Sequence, residues 1–136
     1  KMSSPFEKLC GPQGILHAEP ADAEEIAALL RSGLARLQDP GKASLALQSR
    51  FDLAYGAAHA LSLAALRRAG YRARQRYVVF QRLPYTTSLG PEVWRVLDEA
   101  HRLRNLAEYE GDLRITDGFV IDLIAATRKV ADAISA

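Results

Sequence analysis

The sequence predicts an all-α fold: a four-helix, up-and-down-like bundle with one long connection between its second and third helices. Three observations predict it. Four segments carry apolar residues at the i, i+3, i+4, i+7 spacing of a buried helix face. No clear pair of strands alternates with period two, and Pro and Gly residues stand between the periodic segments. With 136 residues, 49% hydrophobic and 25% charged, the chain can bury a single core without disulfides or metals and fits one domain.

Residues 1–19, with Pro5, Gly11, Pro12 and Gly14 and little apolar periodicity, read as an irregular N-terminal arm outside the core. The helical domain is then 20–136. Pro20 opens the first helix, because proline is tolerated in a first turn, and Asp22, Glu24 and Glu25 suit the positive end of the helix dipole. Ile26, Leu29, Leu30, Gly33, Leu34 and Leu37 form its apolar stripe, and Asp39-Pro40-Gly41 stops it. The second helix runs from about Ser44 to Ala69, with Leu47, Phe51, Ala54, Tyr55, Ala58, Leu61 and Ala65 on one stripe and Gly70 at its end. Its many alanines permit close helix packing.

Residues 71–90 are the long connection, and connections of this length are often functional. Tyr77-Val78-Val79-Phe80 reads as a strand or a packed loop, and Pro84 and Gly90 punctuate the rest of the connection. Pro91-Glu92 opens the third helix, in which Val93, Trp94, Leu97, Ala100 and His101 share a face that Arg104 continues. Gly111 to Asp117 make a turn. Val120, Ile121, Leu123, Ile124, Thr127, Val130, Ala131 and Ile134 then mark the fourth helix.

Composition excludes several classes. Cys10 is the single cysteine, so no intrachain disulfide forms, and a reduced, cytoplasmic protein is expected. No run approaches the roughly 20 apolar residues of a membrane span, and no basic region followed by an apolar leader is present, so no membrane association is expected. His17, His59, His101 and Cys10 lack metal-ligand spacing. There is no glycine-rich phosphate loop, G-x-S-x-G elbow or paired-carboxylate signature, so neither a metal nor a cofactor is expected. The net charge of +2 is small, but residues 67 to 104 hold nine arginines against Glu92, Asp98 and Glu99.

Two constellations carry chemistry. The first is Arg104-Asn105-Leu106-Ala107-Glu108-Tyr109 at the far end of the third helix. Arg104 and Glu108 are i, i+4 neighbours, which as a solvated ion pair contributes roughly 0.2–0.5 kcal/mol. Arg104 also continues an apolar stripe, so its guanidinium lies near the interior or an oligomer seam, where a carboxylate, carbonyl or phosphate must satisfy it. His101 is one helical turn away and enters the same pocket on one reading, or packs as a core histidine on the other. Arg95 and His101 are spaced R-x(5)-H, but six helical positions put them on different faces. The second constellation is Arg67, Arg68, Arg72, Arg74, Arg76 and Arg82, interleaved with Tyr71, Tyr77, Phe80 and Tyr85. Guanidinium forks match phosphate and aromatic faces stack bases, which makes Arg72, Arg74, Arg76 and Arg82 candidates for binding RNA or a nucleotide. The other reading is a solvated helix end whose cations favour the dipole while the aromatics pin the loop.

Element order, the aromatic and alanine-rich segment Phe51-Asp52-Leu53-Ala54-Tyr55-Gly56-Ala57-Ala58-His59-Ala60-Leu61 and the motif Arg104-Asn105-x-x-x-Tyr109 together resemble the HEPN family of small four-helix nucleotide-binding domains, over roughly residues 44 to 135. In active members the signature R-x(4 to 6)-H implies metal-independent RNA cleavage, with the histidine moving a proton and the arginine stabilising the phosphate. Here Tyr109 stands at the histidine position, and a phenol with a pKa of about 10 is a poor proton shuttle at neutral pH. A branch of the family carries R-x-x-A-D-Y, which Arg104 to Tyr109 approach closely. The resemblance implies a polar pocket from Arg104, Asn105 and Tyr109, with a degenerate catalytic motif, and a homodimer whose two motifs line one cleft. It further implies a component of a toxin-antitoxin-type system with a nucleotidyltransferase-type partner. The alternative is a non-enzymatic homodimeric interaction module using the same residues as a seam network.

Overall fold

The computed structural model describes residues 6, 9, 10, 14–38 and 45–135. In chain order these form β1 (Leu16–Ala18), α1 (Ala23–Gln38), α2 (Leu47–Arg68), β2 (Tyr71–Ala73), α3 (Arg76–Gln81), α4 (Leu83–Thr86), α5 (Pro91–Glu110) and α6 (Asp117–Ser135). The chain is mostly helical, as expected of an all-α fold, with four long helices, two short ones and one small sheet among the described residues.

Helix α2 is the axis of the molecule. It packs against α1 and α6 along most of its length and against β2, α3, α4 and α5 elsewhere. Phe51, Ala54, Tyr55, Ala58, Leu61 and Ala65 are buried as their stripe predicts, but Ala57, Ala60, Ala64 and Leu66 are buried too. A helix covered on several sides must be apolar or small on several sides, and the alanines let neighbours approach closely. Helix α5 buries Val93, Leu97 and Ala100 against α3 and α6. It ends at Gly111, whose left-handed φ of 73° turns the chain while its N–H bonds the Ala107 carbonyl at 2.7 Å. Thr116 Oγ1 accepts the Phe119 N–H at 3.0 Å and starts α6, which buries Val120, Leu123, Ile124, Thr127, Val130, Ala131 and Ile134. Ile121 and Leu34, placed on apolar stripes by their spacing, are exposed at 59% and 41%, because each stripe is wider than the seam its helix presents to α2.

Several expectations need correction. The N-terminal arm is not outside the core: Leu16 is fully buried, Phe6 is buried against Tyr71, and β1 pairs antiparallel with β2 in the register Leu16↔Ala73 to Ala18↔Tyr71. A strand of three residues shows no readable alternation, and its partner lies more than fifty residues away. The segment Tyr77-Val78-Val79-Phe80 is helical, as α3, rather than a strand or loop. Val78, Val79 and Phe80 are all buried, and that packing outweighs the strand preference of two adjacent valines. Helix α1 begins after Asp22, whose Oδ1 accepts the Glu24 and Glu25 N–H groups at 3.0 and 3.3 Å, so Asp22 and not Pro20 opens it. The stop expected at Asp39-Pro40-Gly41, and Ser44, lie outside the described residues.

Arg67, at the end of α2, is 1% exposed and explains how the arm is held. Its guanidinium donates to Glu25 Oε1 at 2.7 Å and to the carbonyls of Pro20 at 2.7 Å, Glu19 at 2.9 Å and Tyr71 at 3.3 Å. Arg72 joins the same two glutamates, through Glu19 Oε2 at 2.9 Å and Glu25 Oε2. These arginines hold both carboxyls below their usual range, with the Arg72 hydrogen bond the largest cause for each. Among the described residues no helix is long and apolar enough to cross a membrane.

Candidate functional site

Asp52, Tyr55 and His59 put polar side chains on the alanine surface of α2, with Gly56 between them, at positions i, i+3, i+7 and i+4 of one helical face. Opposite them α1 contributes Ser32 and Arg36, one turn apart, and α3 and α5 contribute Arg76 and Arg104. Together with Leu29 and Ala60 these residues line a cleft of about 430 Å³. Gly56 shapes it: a Cβ there would stand 3.2 Å from Arg36 Cδ, so the missing side chain lets Arg36 lie across α2. Arg36 also donates to Ser32 Oγ.

Three guanidinium groups from three elements therefore converge on one cleft. Among the described residues no ion pair engages Arg36 or Arg76. Arg104 lies 5.2 Å above the centre of the Tyr55 ring, a cation–π contact, and reaches Glu108 Oε1 at 3.5 Å on its other side. It forms, with Asp52, the ridge to a second cleft of about 320 Å³ lined by Gln48, Phe51, Ala107, Glu108 and Leu113. The i, i+4 ion pair expected of Arg104 and Glu108 thus exists at the limit of contact, and the same guanidinium also faces the polar cleft.

Behind the cleft wall His101 bridges two partners. Its Nδ1 lies 3.0 Å from Tyr55 Oη and its Nε2 lies 2.9 Å from Asn105 Nδ2. With the amide nitrogen donating to Nε2, the ring proton falls on Nδ1 and is donated to Tyr55 Oη. The Tyr55 and His101 rings stack with centroids 6.5 Å apart, and Phe80 and Tyr77 close the aromatic cluster. Burial pushes the Tyr55 phenol up, opposed by Arg104 and Arg76. Burial and then the charges of Arg76, His101 and Arg104 push His59 down to about 4. Burial lowers His101 also; Arg104 and Arg76 act in the same direction, while Asp98 and Glu108 oppose it. Both imidazoles are neutral at pH 7.

The residues singled out in the sequence fall into separate groups. Arg76 and Arg104 share the cleft, His101 stands behind Tyr55, and Asn105 is exposed and bonded to His101. Arg72 and Arg74 line a smaller recess of about 150 Å³ that meets the cleft at His59 and Arg76. Arg72 is engaged there with Glu19 and Glu25. Arg82 lies apart, 4.6 Å over the Tyr85 ring. Tyr109 is 89% exposed and does not line the cleft of its own chain. Arg95 stacks on Trp94, away from His101. His17 pairs with Glu19 at 3.6 Å. Among the described residues no group of three His, Cys, Asp or Glu side chains is arranged to hold a metal ion. Sequence reasoning missed Ser32, Arg36, Asp52, Tyr55 and the placing of His59. The signal for the α2 residues was present in their shared face, whereas the facing of α1 across the cleft leaves no mark in the chain.

No family model, curated protein or solved structure matches the chain.

Proposed function

We propose that the chain is a HEPN-like four-helix bundle that binds RNA or a nucleotide in the cleft between α1, α2, α3 and α5, with a degenerate R-x-x-x-x-Y motif at its edge. The observation that carries this reading is the convergence of Arg36, Arg76 and Arg104 on one cleft beside the Tyr55 ring. Guanidinium groups satisfy phosphate oxygens through paired donors, and the Tyr55 ring, buried beneath Arg104, helps fix that guanidinium in place. Neutral His59 adds a hydrogen-bonding group without adding charge. A role in a toxin-antitoxin-type system, with a nucleotidyltransferase-type partner, belongs to the same reading. The test is binding of a short single-stranded RNA at graded salt. Affinity should fall as salt rises and drop about tenfold or more in Arg104→Ala. Salt-insensitive binding, or binding indifferent to Arg104, overturns the reading.

A second reading rests on a different observation. Tyr109, at 89% exposure, stands one turn beyond Arg104 and suits a contact with a second copy of the chain. In that reading the protein is a homodimeric interaction module and the Arg104, Asn105 and Tyr109 side chains form its seam. Arg104→Ala would then lower dimer stability and leave RNA binding unchanged or absent.

A further inference from the structure

We infer that the cleft receives a terminal phosphate, a phosphomonoester at the end of an RNA or on a mononucleotide, in preference to an internal phosphodiester. The inference rests on the cleft being the binding site proposed above and names the group it selects.

Charge favours the monoester. The ionisable groups facing the cleft are Arg36 from α1, Asp52, Tyr55 and His59 from α2, Arg76 from α3 and Arg104 from α5. At neutral pH, three guanidinium charges stand against one carboxylate, with the phenol and imidazole neutral. The excess is two positive charges. Glu108 touches Arg104 from the neighbouring cleft and is 65% exposed, so water screens it from the shared space. An internal phosphodiester brings one negative charge and leaves an excess, whereas a phosphomonoester brings about 1.5 to 2 and balances it.

The number of donors favours it too. A chain-internal phosphate offers two non-bridging oxygens, but a terminal one offers three. Three guanidinium groups arriving from three elements surround a tripod better than a strand passing through. Tyr55 adds a fourth donor. With the His101 proton on Nδ1, the tautomer that Asn105 Nδ2 donating to Nε2 selects, the ring donates to Tyr55 Oη and the phenol's own hydrogen can turn to the cleft. The Tyr55, His101 and Asn105 chain is thus a positioning device that presents a neutral donor beside the cationic ones.

The experiment compares the full chain binding one short RNA bearing a 5′-phosphate with the same RNA bearing a 5′-hydroxyl, with AMP, adenosine and inorganic phosphate as competitors. The phosphorylated RNA should bind about tenfold more tightly, AMP should compete and adenosine should not. AMP binding without any RNA binding would place the phosphomonoester on a mononucleotide, and competition between the two would place it on both. The preference should vanish in Arg36→Gln and in Arg76→Gln, two exposed positions whose replacement leaves the core untouched. It should also shrink between pH 7.5 and 5.5, as the phosphate regains its second proton near a pKa of about 6 while His59 stays neutral. Equal binding of both RNAs, still dependent on Arg104, overturns the terminal-phosphate inference and leaves the proposed function standing. Failure of every phosphorylated probe to bind overturns both.

Discussion

His59 is held neutral by burial and by the cations around it, with its pKa pushed down to about 4, and that has a consequence for stability. Below its ordinary value of 6.5 the unfolded imidazole binds a proton that the folded one refuses, so acidification favours the unfolded chain. The stabilisation is present above pH 6.5 and is lost as pH falls towards 4. Between pH 7 and 5 the shift amounts to about 2 kcal/mol, reduced by whatever water reaches the ring. His59→Gln removes the titration, so its urea midpoint should vary less than the native one across that window; parallel curves would contradict the assignment. Gly56 offers an independent handle. A Cβ on Gly56 meets only the exposed Arg36 side chain, which can move, while alanine in a helix interior is favoured over glycine by up to about 1 kcal/mol. Gly56→Ala should therefore leave the thermal midpoint unchanged or raised and weaken phosphate binding, read by calorimetry with AMP. Arg104 was legible as an anion-facing candidate because it continues an apolar stripe, and Arg76 because the arginine run alternates with aromatics. Tyr55 was legible only as core, because an aromatic at helical spacing looks the same whether its hydroxyl is bonded or buried idle.

Arg67 ties four parts of the chain together: the end of α2, the strand pair, the segment before α1 and α1 itself. In the sequence it is one of two arginines at a helix end, where a cation favours the dipole and the side chain is expected in water. Its neighbour Arg68 is closer to that picture, exposed and donating to the Ile134 carbonyl at 2.9 Å. The two differ because the arm folds over one and not the other, and nothing local in the chain marks that difference. Removing the buried Arg67 leaves Glu25 with only Arg72 and three carbonyls without their donor, so Arg67→Ala should cost roughly 2–3 kcal/mol of stability. Arg68→Ala should cost about 1 kcal/mol. Equal denaturation midpoints for the two variants would show that the arm is not held through Arg67. The long helices were legible from periodicity, which needs several turns to show itself. The strand pair and α3 were not, because each is too short to display a period and is settled by burial against α2.

In the homodimeric reading, Tyr109 is the side chain that a second copy would cover. Its ring is 89% exposed and lines none of the space that Arg104 shares with Tyr55, so in a single chain it serves neither the cleft nor the core. A large aromatic side chain in water forgoes burial worth on the order of 2 kcal/mol, which a second copy can restore by covering it. Arg104 and Asn105 occupy the adjacent turn, so covering Tyr109 would bring a partner to the rim of the cleft without filling it. Dimer formation and anion binding therefore respond differently to substitution. Tyr109→Ala should shift the monomer–dimer equilibrium towards monomer in sedimentation and leave AMP affinity within about twofold, whereas Arg76→Gln should do the reverse. A native chain that sediments as a monomer at every concentration would remove the seam from consideration. Tyr109→His carries the same geometry into chemistry. If two chains pair with their motifs facing one cleft, an imidazole at this position would reach RNA across the pair, so RNA cleavage gained by Tyr109→His should rise with dimer fraction and disappear in Tyr109→His combined with Arg104→Ala. Absence of cleavage by both the native chain and Tyr109→His would confine the arginine cleft to binding.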